Sequence, residues 1–156
     1  MKRFYEKTEI KGYKEIVDEA AGLEVIGFGM INLQKGEEVT LESGEYELGL
    51  VILSGTCNVE AGTFKALEKG KRKDVFSGKP TTIYIPRDTT YTVTAVGEGT
   101  LEIGVCKVKA DKKYEPFVVE AEDVTTEHRG QLNWQRDVND IITSNFEAVS
   151  YTHLTL

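Results

Sequence analysis

The stretch that decides the fold is Gly36-Glu-Glu-Val-Thr-Leu-Glu-Ser-Gly-Glu-Tyr-Glu-Leu-Gly-Leu-Val-Ile-Leu-Ser-Gly55. Within it, residues 46–53 form an apolar run that is typical of a buried β-strand, and Ser54-Gly55 ends the run. A glycine at this position allows the backbone conformation of a tight hairpin, which other residues resist. Apolar residues resume after the turn as far as Val59. The segment therefore predicts two consecutive strands.

Further strand signals lie on both sides of this hairpin. Apolar runs bounded by turn residues occupy residues 25–33, 82–86, 91–96, 101–108 and 117–119. Short strands at this spacing predict an all-β fold, a jelly-roll β-barrel or sandwich. Residues 13–21 are the only helix-compatible segment before Ala110, and they are too short to predict a helix. From Glu120 onward, polar residues with scattered apolar ones predict an irregular arm that leaves the barrel.

The composition indicates a globular protein with a single core. The chain has 156 residues, of which 40% are hydrophobic and 29% charged, and its net charge is −7. That charge argues against nucleic acid or an anionic membrane as a partner, because both require a basic surface. No apolar run is long enough to span a membrane and none follows the basic residues at the start, so we expect a cytoplasmic protein. Cys57 and Cys106 lie in β-like runs without CxxC spacing, which favours buried free thiols over a disulfide or a metal pair.

Two segments resemble the paired motifs of the cupin fold. In the first cupin motif, two glycines bracket a hairpin that carries His-x-His and a Glu, and residues 36–55 have this frame. The second motif, a Pro-x-Gly turn followed by a His, has its counterpart in Ile85-Pro86-Arg87-Asp88-Thr89-Thr90-Tyr91. The resemblance implies a barrel whose mouth would hold a divalent metal on three imidazoles and a carboxylate, a ligand set that suits zinc, iron or manganese.

None of the four metal-ligand positions carries its usual residue. The two histidine positions of the first motif fall on Glu42 and Gly44, the glutamate position on Leu48, and the second-motif histidine on Tyr91. Glu47 is one residue away from the glutamate position, which on a strand turns its side chain to the other face. The chain has only two histidines, His128 and His153, both downstream of the barrel strands. We therefore expect a barrel without a metal and without catalytic residues.

The polar residues of the two motifs leave alternatives open. Glu42, Glu45 and Glu47 are interpreted as a solvated strand-turn-strand surface rather than an acidic site, because no basic or imidazole partner is near them. Tyr91 either packs in the barrel interior with its hydroxyl group hydrogen-bonded or lines a sugar-sized pocket, and interior packing is favoured.

Three stretches resemble the 5-deoxy-glucuronate isomerase family of myo-inositol catabolism, a relative of the 5-keto-4-deoxyuronate isomerases. They are residues 51–60, residues 74–86 with 91–95, and residues 128–141, whose Arg-Gly-x-x-Asn-Trp-x-Arg string does not follow from core patterning. The resemblance implies an isomerase that converts 5-deoxy-D-glucuronate to 5-dehydro-2-deoxy-D-gluconate. It also implies a bicupin whose carboxy-terminal barrel holds the divalent metal, expected to be zinc, with this chain as the amino-terminal half.

These features lead to three functional hypotheses. The first is a truncated isomerase, which acts on a small sugar acid in the intact protein and could form a homo-oligomer. The second is a complete metal-free cupin that binds a sugar or a partner protein. The third, a metal-dependent dioxygenase, is nearly excluded by the histidine count.

Arg129, Trp134 and Arg136 are the candidate functional residues of the arm. The two guanidinium groups could bind the carboxylate of a uronic acid, since each offers two parallel donors. Alternatively, they tie the arm to the acidic barrel surface or to a second barrel while Trp134 anchors it by burial, and this structural role is favoured. His128, with no visible carboxylate partner, is interpreted as a hydrogen-bonded arm residue rather than a base.

The chain divides into three predicted parts. Residues 1–119 are expected to form the cupin barrel, residues 120–148 an interdomain arm, and residues 149–156 a tail that is not native to the protein. The tail resembles translated sequencing-adapter read-through, and a genuine short tail is the alternative.

Overall fold

The computed structural model describes residues 8–17, 26–143 and 145–148, which are mostly β-strands. The barrel strands in chain order are β1 Gly12–Val17, β2 Ile26–Leu33, β3 Glu38–Glu42, β4 Tyr46–Ser54, β5 Thr56–Ala61, β6 Phe64–Gly70, β7 Thr82–Ile85, β8 Thr90–Ala95, β9 Leu101–Lys109 and β10 Phe117–Val119. The arm contains the strands β11 Thr125–Arg129 and β12 Arg136–Asp140, with 3₁₀ turns at Ala121–Asp123 and Leu132–Trp134. Within the described ranges there is no helix whose length and hydropathy would let it span a membrane.

The barrel strands form two sheets that enclose one core. The larger sheet has the order β1-β2-β9-β4-β7-β10 and the smaller one β3-β8-β5-β6. The paired strands of both sheets run antiparallel. Leu50 and Ile103 of the larger sheet share the core with Val59 and Val93 of the smaller sheet. The prediction of an all-β barrel or sandwich is confirmed.

Strand β4 is buried on both of its faces. Leu50 and Ile52 point into the core between the sheets. Val51 lies instead in a second apolar cluster on the outer face of the larger sheet, together with Tyr84 and Cys106. Since successive side chains of a strand point to opposite faces, a continuous apolar run requires cover on both sides.

The arm supplies that cover, so the prediction that it leaves the barrel is wrong. Ile142 and Ala148 are buried in the second cluster, and Phe146 packs against it. The ring of Phe146 stacks on Phe117 with 5.0 Å between centroids, and Phe117 stacks on Tyr84 at 4.6 Å. Full burial of one such apolar side chain stabilises the fold by roughly 1.5–3 kcal/mol. A few buried apolar side chains therefore suffice to hold this mostly polar segment against the sheet. The domain limits and the interdomain role of the arm stay predictions.

Some segments differ from the expectations, and others lie outside the described residues. Residues 13–17 of the helix-compatible segment belong to strand β1, which pairs with β2, and residues 18–21 lie outside the described ranges. Strand β6 and the hairpin β11–β12 were not predicted, because charged residues interrupt their apolar alternation. The proposed tail, residues 149–156 with His153, also lies outside the described residues.

Candidate functional site

The four cupin ligand positions split between the barrel interior and its surface. Leu48 and Tyr91 are buried in the core. Glu42 is exposed at the end of β3, and Gly44 lies in the following turn with a φ of 58°. Two of the four positions therefore still point into the barrel at one of its ends.

The acidic residues near these positions do not behave alike. Glu42 and Glu45 are exposed as predicted, and Glu45 forms an ion pair with Lys109 at 3.3 Å. The prediction that Glu47 is solvated is wrong, because only 1% of this residue is exposed. It faces the outer side of the sheet, where the Tyr84 hydroxyl donates a hydrogen bond of 2.8 Å to its Oε2. The arm covers this side of the sheet, so Glu47 is buried by a segment that lies much later in the chain.

A polar group of four residues, here called the mouth cluster, lies at the same end of the barrel as Leu48 and Tyr91. It consists of Tyr13, Glu15, Tyr46 and Lys107. The Lys107 ammonium contacts both carboxylate oxygens of Glu15, at 2.9 and 3.1 Å. The same ammonium lies 4.6 Å from the centroid of the Tyr46 ring, within the range of a cation–π interaction. Tyr13 donates a hydrogen bond from its hydroxyl group to Glu15.

Strand register places the mouth cluster inside the barrel. Lys107 of β9 is opposite Leu48 of β4 and Gly27 of β2, and directly opposed residues of antiparallel strands share a face. Lys107 therefore continues the inward-facing series of Leu101, Ile103 and Val105. On strand β1, Glu15 is opposite Gly29 and thus faces inward too.

Two glycines of β2 make room for the mouth cluster. A Cβ atom on Gly29 would lie 2.6 Å from the ring of Tyr13, closer than packing allows. A Cβ atom on Gly27 would lie 3.4 Å from the Lys107 Cβ. Because glycine has no side chain, the Tyr13 ring and the stem of Lys107 can pack directly on the inner surface of β2.

The tyrosines around Glu15 are held in their neutral form. Burial raises the pKa of Tyr13 above its usual range, and the hydrogen bond to Glu15 and its charge raise it further. The pKa of Tyr91 is also raised, first by burial and then by the charge of Glu15. Both phenols are hydrogen-bond donors at neutral pH. The packing of Tyr91 in the barrel interior is confirmed, and the hydrogen bond expected for its hydroxyl group stays a prediction.

The side chains at the ligand positions do not fit a metal ion. Leu48 offers no donor atom, Gly44 has no side chain and Glu42 is turned outward. Tyr91 is a buried phenol with a raised pKa, whereas metal ligation needs a deprotonated donor. In the described part of the chain, His, Cys, Asp and Glu side chains form no group of three or more that could hold a metal.

The structure brings Arg129, Trp134 and Arg136 together at the end of the arm hairpin. Arg129 and Arg136 are directly opposite each other in the β11–β12 pairing. They line a cavity of about 200 Å³ with His128, Gly130, Gln135 and Asp137. Arg129 forms its ion pair with Glu127 of its own strand, at 2.6 Å, rather than with the barrel. The hairpin therefore groups the predicted residues at one end of the arm.

Trp134 is not buried against the described part of this chain, and its anchoring to a second barrel stays a prediction. It is 57% exposed, and Leu132 beside it is 86% exposed. Gly130 has a φ of 93°, and a Cβ atom there would overlap the backbone carbonyl of Trp134. Only a glycine therefore fits this turn, which carries Leu132 and Trp134 with their apolar side chains exposed.

His128 is hydrogen-bonded, as predicted, and its partner is a carboxylate that the sequence did not reveal. Its Nδ1 lies 2.5 Å from Oδ1 of Asp137, the residue opposite it in the hairpin. Both side chains are mainly exposed. The interpretation of His128 as an arm residue rather than a base stays a prediction.

Cys57 and Cys106 are both buried and free, which confirms the prediction of unbonded thiols. Burial raises the pKa of Cys57 to about 12 and that of Cys106 to about 11. Both sulfur atoms are therefore protonated and weakly nucleophilic at neutral pH.

Sequence reasoning missed the mouth cluster. Glu15 and Lys107 are 92 residues apart in the chain, and nothing local connects them. The available signals were the paired glycines Gly27 and Gly29 in an apolar strand, which indicate close approach of another group, and a lysine that continues an inward alternation in β9.

Comparison with known proteins assigns this barrel to a family. The sequence profile of the KduI/IolB family matches residues 2–154. The chain belongs to the KduI/IolB family. Among its curated relatives, the protein named 5-deoxy-glucuronate isomerase from Shouchella clausii is 31% identical over 125 residues, which are 80% of this chain and 45% of the relative. The relative of the same name from Geobacillus thermodenitrificans is 30% identical, over 86% of this chain and 49% of the relative.

The family match also bears on the extent of the chain. The chain spans about half the length of the curated relatives it matches. The matched range reaches into residues 149–154, which the sequence assigned to a non-native tail. The origin of that tail stays a prediction.

Solved structures agree with the family on the fold. A crystal structure of an IolB-like protein from Salmonella typhimurium superposes with a TM-score of 0.82 and 31% identity, over 90% of this chain and 54% of that chain. A cupin protein from Bacteroides fragilis gives a TM-score of 0.50 at 18% identity, over 74% of this chain and 92% of that chain. The predicted cupin fold and the predicted family resemblance are both confirmed.

Proposed function

We propose that this chain is the amino-terminal part of a 5-deoxy-glucuronate isomerase, a cytoplasmic enzyme that interconverts an aldose and a ketose. Its substrate would be 5-deoxy-D-glucuronate and its product 5-dehydro-2-deoxy-D-gluconate. The observation that carries the proposal is the match, over about half their length, to relatives that bear this name.

The barrel of this chain is not expected to perform the reaction by itself. Aldose-ketose isomerisation needs a proton transferred between neighbouring carbons and an electrophile that stabilises the enediolate. A divalent metal supplies such an electrophile, but Leu48 and Tyr91 do not offer it ligands. We therefore assign the metal, proposed to be zinc, to a carboxy-terminal barrel of the intact protein.

The arm hairpin is proposed to contact that second barrel. Leu132 and Trp134 are large apolar side chains exposed together at its end, and such groups mark contact surfaces when they cluster. Arg129 and Arg136 flank them and could pair with carboxylates of the second barrel or with the sugar-acid substrate. The exposed Trp134 favours the contact between barrels as the main role of the string.

A chimeric protein tests the isomerase proposal. Residues 1–148 of this chain replace the matching part of the Shouchella clausii relative, and conversion of 5-deoxy-D-glucuronate is followed by proton NMR. We expect the chimera to convert the substrate and to bind zinc stoichiometrically, and the 156-residue chain to do neither. The unmodified relative serves as the positive control.

Two outcomes would contradict the proposal. A folded, zinc-loaded chimera without activity would show that this barrel does not belong to such an isomerase. Activity in the 156-residue chain alone would show that the catalytic groups lie in this barrel.

A further inference from the structure

We propose that the second barrel of the intact protein docks on the part of the larger sheet's outer face that the arm leaves uncovered. This surface, here called the open face, is the outward side of β1, of β2 and of residues 102–104 of β9. A second barrel exists only in the isomerase proposed above, so this docking surface rests on that proposed function.

Strand β2 carries apolar side chains on both of its faces, as β4 does. Its inward side chains lie in the core, whereas Ile26, Phe28 and Met30 point outward. A strand that is apolar on both faces requires cover on both sides. Among the described residues this cover is incomplete, since Phe28 and Met30 are only half-buried and Ile26 is 40% exposed.

One row of residues across the larger sheet shows where the cover stops. Val51, Gly104 and Met30 are directly opposite one another on β4, β9 and β2, and Lys14 of β1 continues the row. Val51 is 3% exposed and belongs to the cluster that the arm covers. Met30 is half-buried and Lys14 is exposed. The cover that the arm supplies therefore ends near β9.

The open face contains a groove of about 940 Å³. The groove is lined by Ile16, Phe28 and Met30 together with the polar side chains of Asn32 and Glu102. Asn32 and Glu102 are hydrogen-bonded to each other, with 3.4 Å between Nδ2 and Oε1. A surface that combines apolar and hydrogen-bonding groups is typical of contacts between domains. The composition of the groove therefore suits another folded domain.

A loop beside the groove exposes further apolar groups. Lys73 of this loop lines the groove, and Val75 and Phe76, which follow it closely, are 49% and 95% exposed. Asp74 Oδ1 holds the turn by accepting hydrogen bonds of 3.0 Å from the Phe76 amide and 2.7 Å from the Ser77 hydroxyl group. Neighbouring apolar side chains that are held in solvent together mark a contact surface.

The path of the chain favours a second barrel as the occupant of the open face. Ala148, the last described residue, is buried on the outer face of the same sheet in one cluster with Val51 and Cys106. Phe28 packs against this cluster, so the described arm ends beside the groove. The curated relatives are about twice as long as their matched part. Their additional length suffices for a second barrel that begins close to this face.

A second copy of this chain is the competing occupant. Each free copy carries a net charge of −7, which opposes the association of two copies. A barrel joined to the same chain by a short linker instead has an effective concentration on the order of millimolar. The tethered barrel is therefore favoured over a free copy.

Thiol labelling in two proteins tests the docking surface. Met30→Cys is introduced into the 156-residue chain and into the chimera with the second half of the Shouchella clausii relative. Reaction with a maleimide at neutral pH is followed by peptide mapping with mass spectrometry. The native cysteines are buried, so the introduced thiol reacts before them. We expect labelling at least about tenfold slower in the chimera, because the reagent reaches the thiol only when the barrels separate.

Two further variants provide a second probe and a control. Asn32→Cys lies in the same groove and gives the same comparison if Met30→Cys does not fold. Lys65→Cys is the matched control, because Lys65 is exposed on the smaller sheet. It should be labelled equally fast in both proteins.

Two results would overturn the docking surface. Equal labelling of Met30→Cys in both proteins would show that the second barrel packs elsewhere, even if the chimera is an active isomerase. Labelling of the 156-residue chain that slows as its concentration rises would show that a second copy covers the groove. Protection of Met30→Cys in an inactive chimera would instead support the docking surface and count against the isomerase, so the two failures are distinguishable.

Discussion

The mouth cluster and the end of the arm hairpin contain the same kinds of side chain in opposite settings. At the mouth, Lys107 is only 18% exposed and lies against Glu15 and the Tyr46 ring. At the hairpin end, Trp134 is 57% exposed and its neighbouring charged groups pair within the hairpin. The difference arises because the mouth residues belong to strands of the two packed sheets, whereas β11 and β12 pair only with each other among the described strands. The burial and the contacts of these basic and aromatic residues therefore depend on which segments pack against them.

The largest expected effect is the difference in reaction rate between a cysteine of the barrel core and a cysteine under the arm. Cys57 lies between the two sheets and Cys106 lies under the arm. Reaction with a disulfide reagent at mildly alkaline pH requires opening, because the pKa values of Cys57 and Cys106 are raised to about 12 and about 11. Since arms open locally at lower free energy than cores unfold, Cys106 should react at least about 100-fold faster than Cys57. Peptide mapping by mass spectrometry over time measures both rates, and equal rates would show that the arm opens only with the barrel.

The next effect tests the space that β2 leaves at the mouth. Gly29→Ala places a Cβ atom 2.6 Å from the Tyr13 ring and should lower the free energy of unfolding by about 1–3 kcal/mol. Gly104→Ala is the matched control on the neighbouring strand, since its Cβ atom would have no contact closer than 3.4 Å. Urea unfolding of both variants decides the matter. A loss of similar size in both variants would mean that the glycines share a general role in the sheet.

A smaller effect distinguishes the ion pair at the mouth from one on the surface. Lys107→Met leaves the Glu15 carboxylate half-buried without its cation, and should lower the free energy of unfolding by about 1–2 kcal/mol. Lys65→Met breaks an exposed ion pair and should cost no more than about 0.5 kcal/mol. Comparable losses in urea unfolding would place the mouth pair among ordinary surface contacts.

The smallest effect is expected at the hairpin end. Trp134→Ser should change the free energy of unfolding of the 156-residue chain by no more than about 0.5 kcal/mol, because the side chain is mainly exposed. Trp134 is the only tryptophan, so its fluorescence reports directly on this site. We expect long-wavelength emission and strong iodide quenching in the chain alone, and a blue shift in the chimera with a second barrel. Blue-shifted emission in the chain alone would contradict the exposed position.

The sequence predicted most of the barrel and little of its polar contacts. Apolar runs between turn residues predicted the strands β2, β4, β7, β8 and β9. Their local pattern is sufficient for this, because most of their side chains are apolar and buried. The inward position of Leu48 and the outward turn of Glu47 also followed from strand alternation. The burial of Glu47 did not, since the residues that cover its face lie far later in the chain, Phe146 for example 99 positions later.

What the sequence by itself determined is the all-β frame, the residue types at the cupin ligand positions and the family of the chain. Each depends on residue types at fixed local spacing, so it can be read without coordinates. Only the tertiary structure decided that Glu15 meets Lys107, that the arm folds back on the larger sheet and that Trp134 stays in solvent. These outcomes depend on which distant segment covers a given face, and burial of that face, rather than any local pattern, supplies the free energy that selects them.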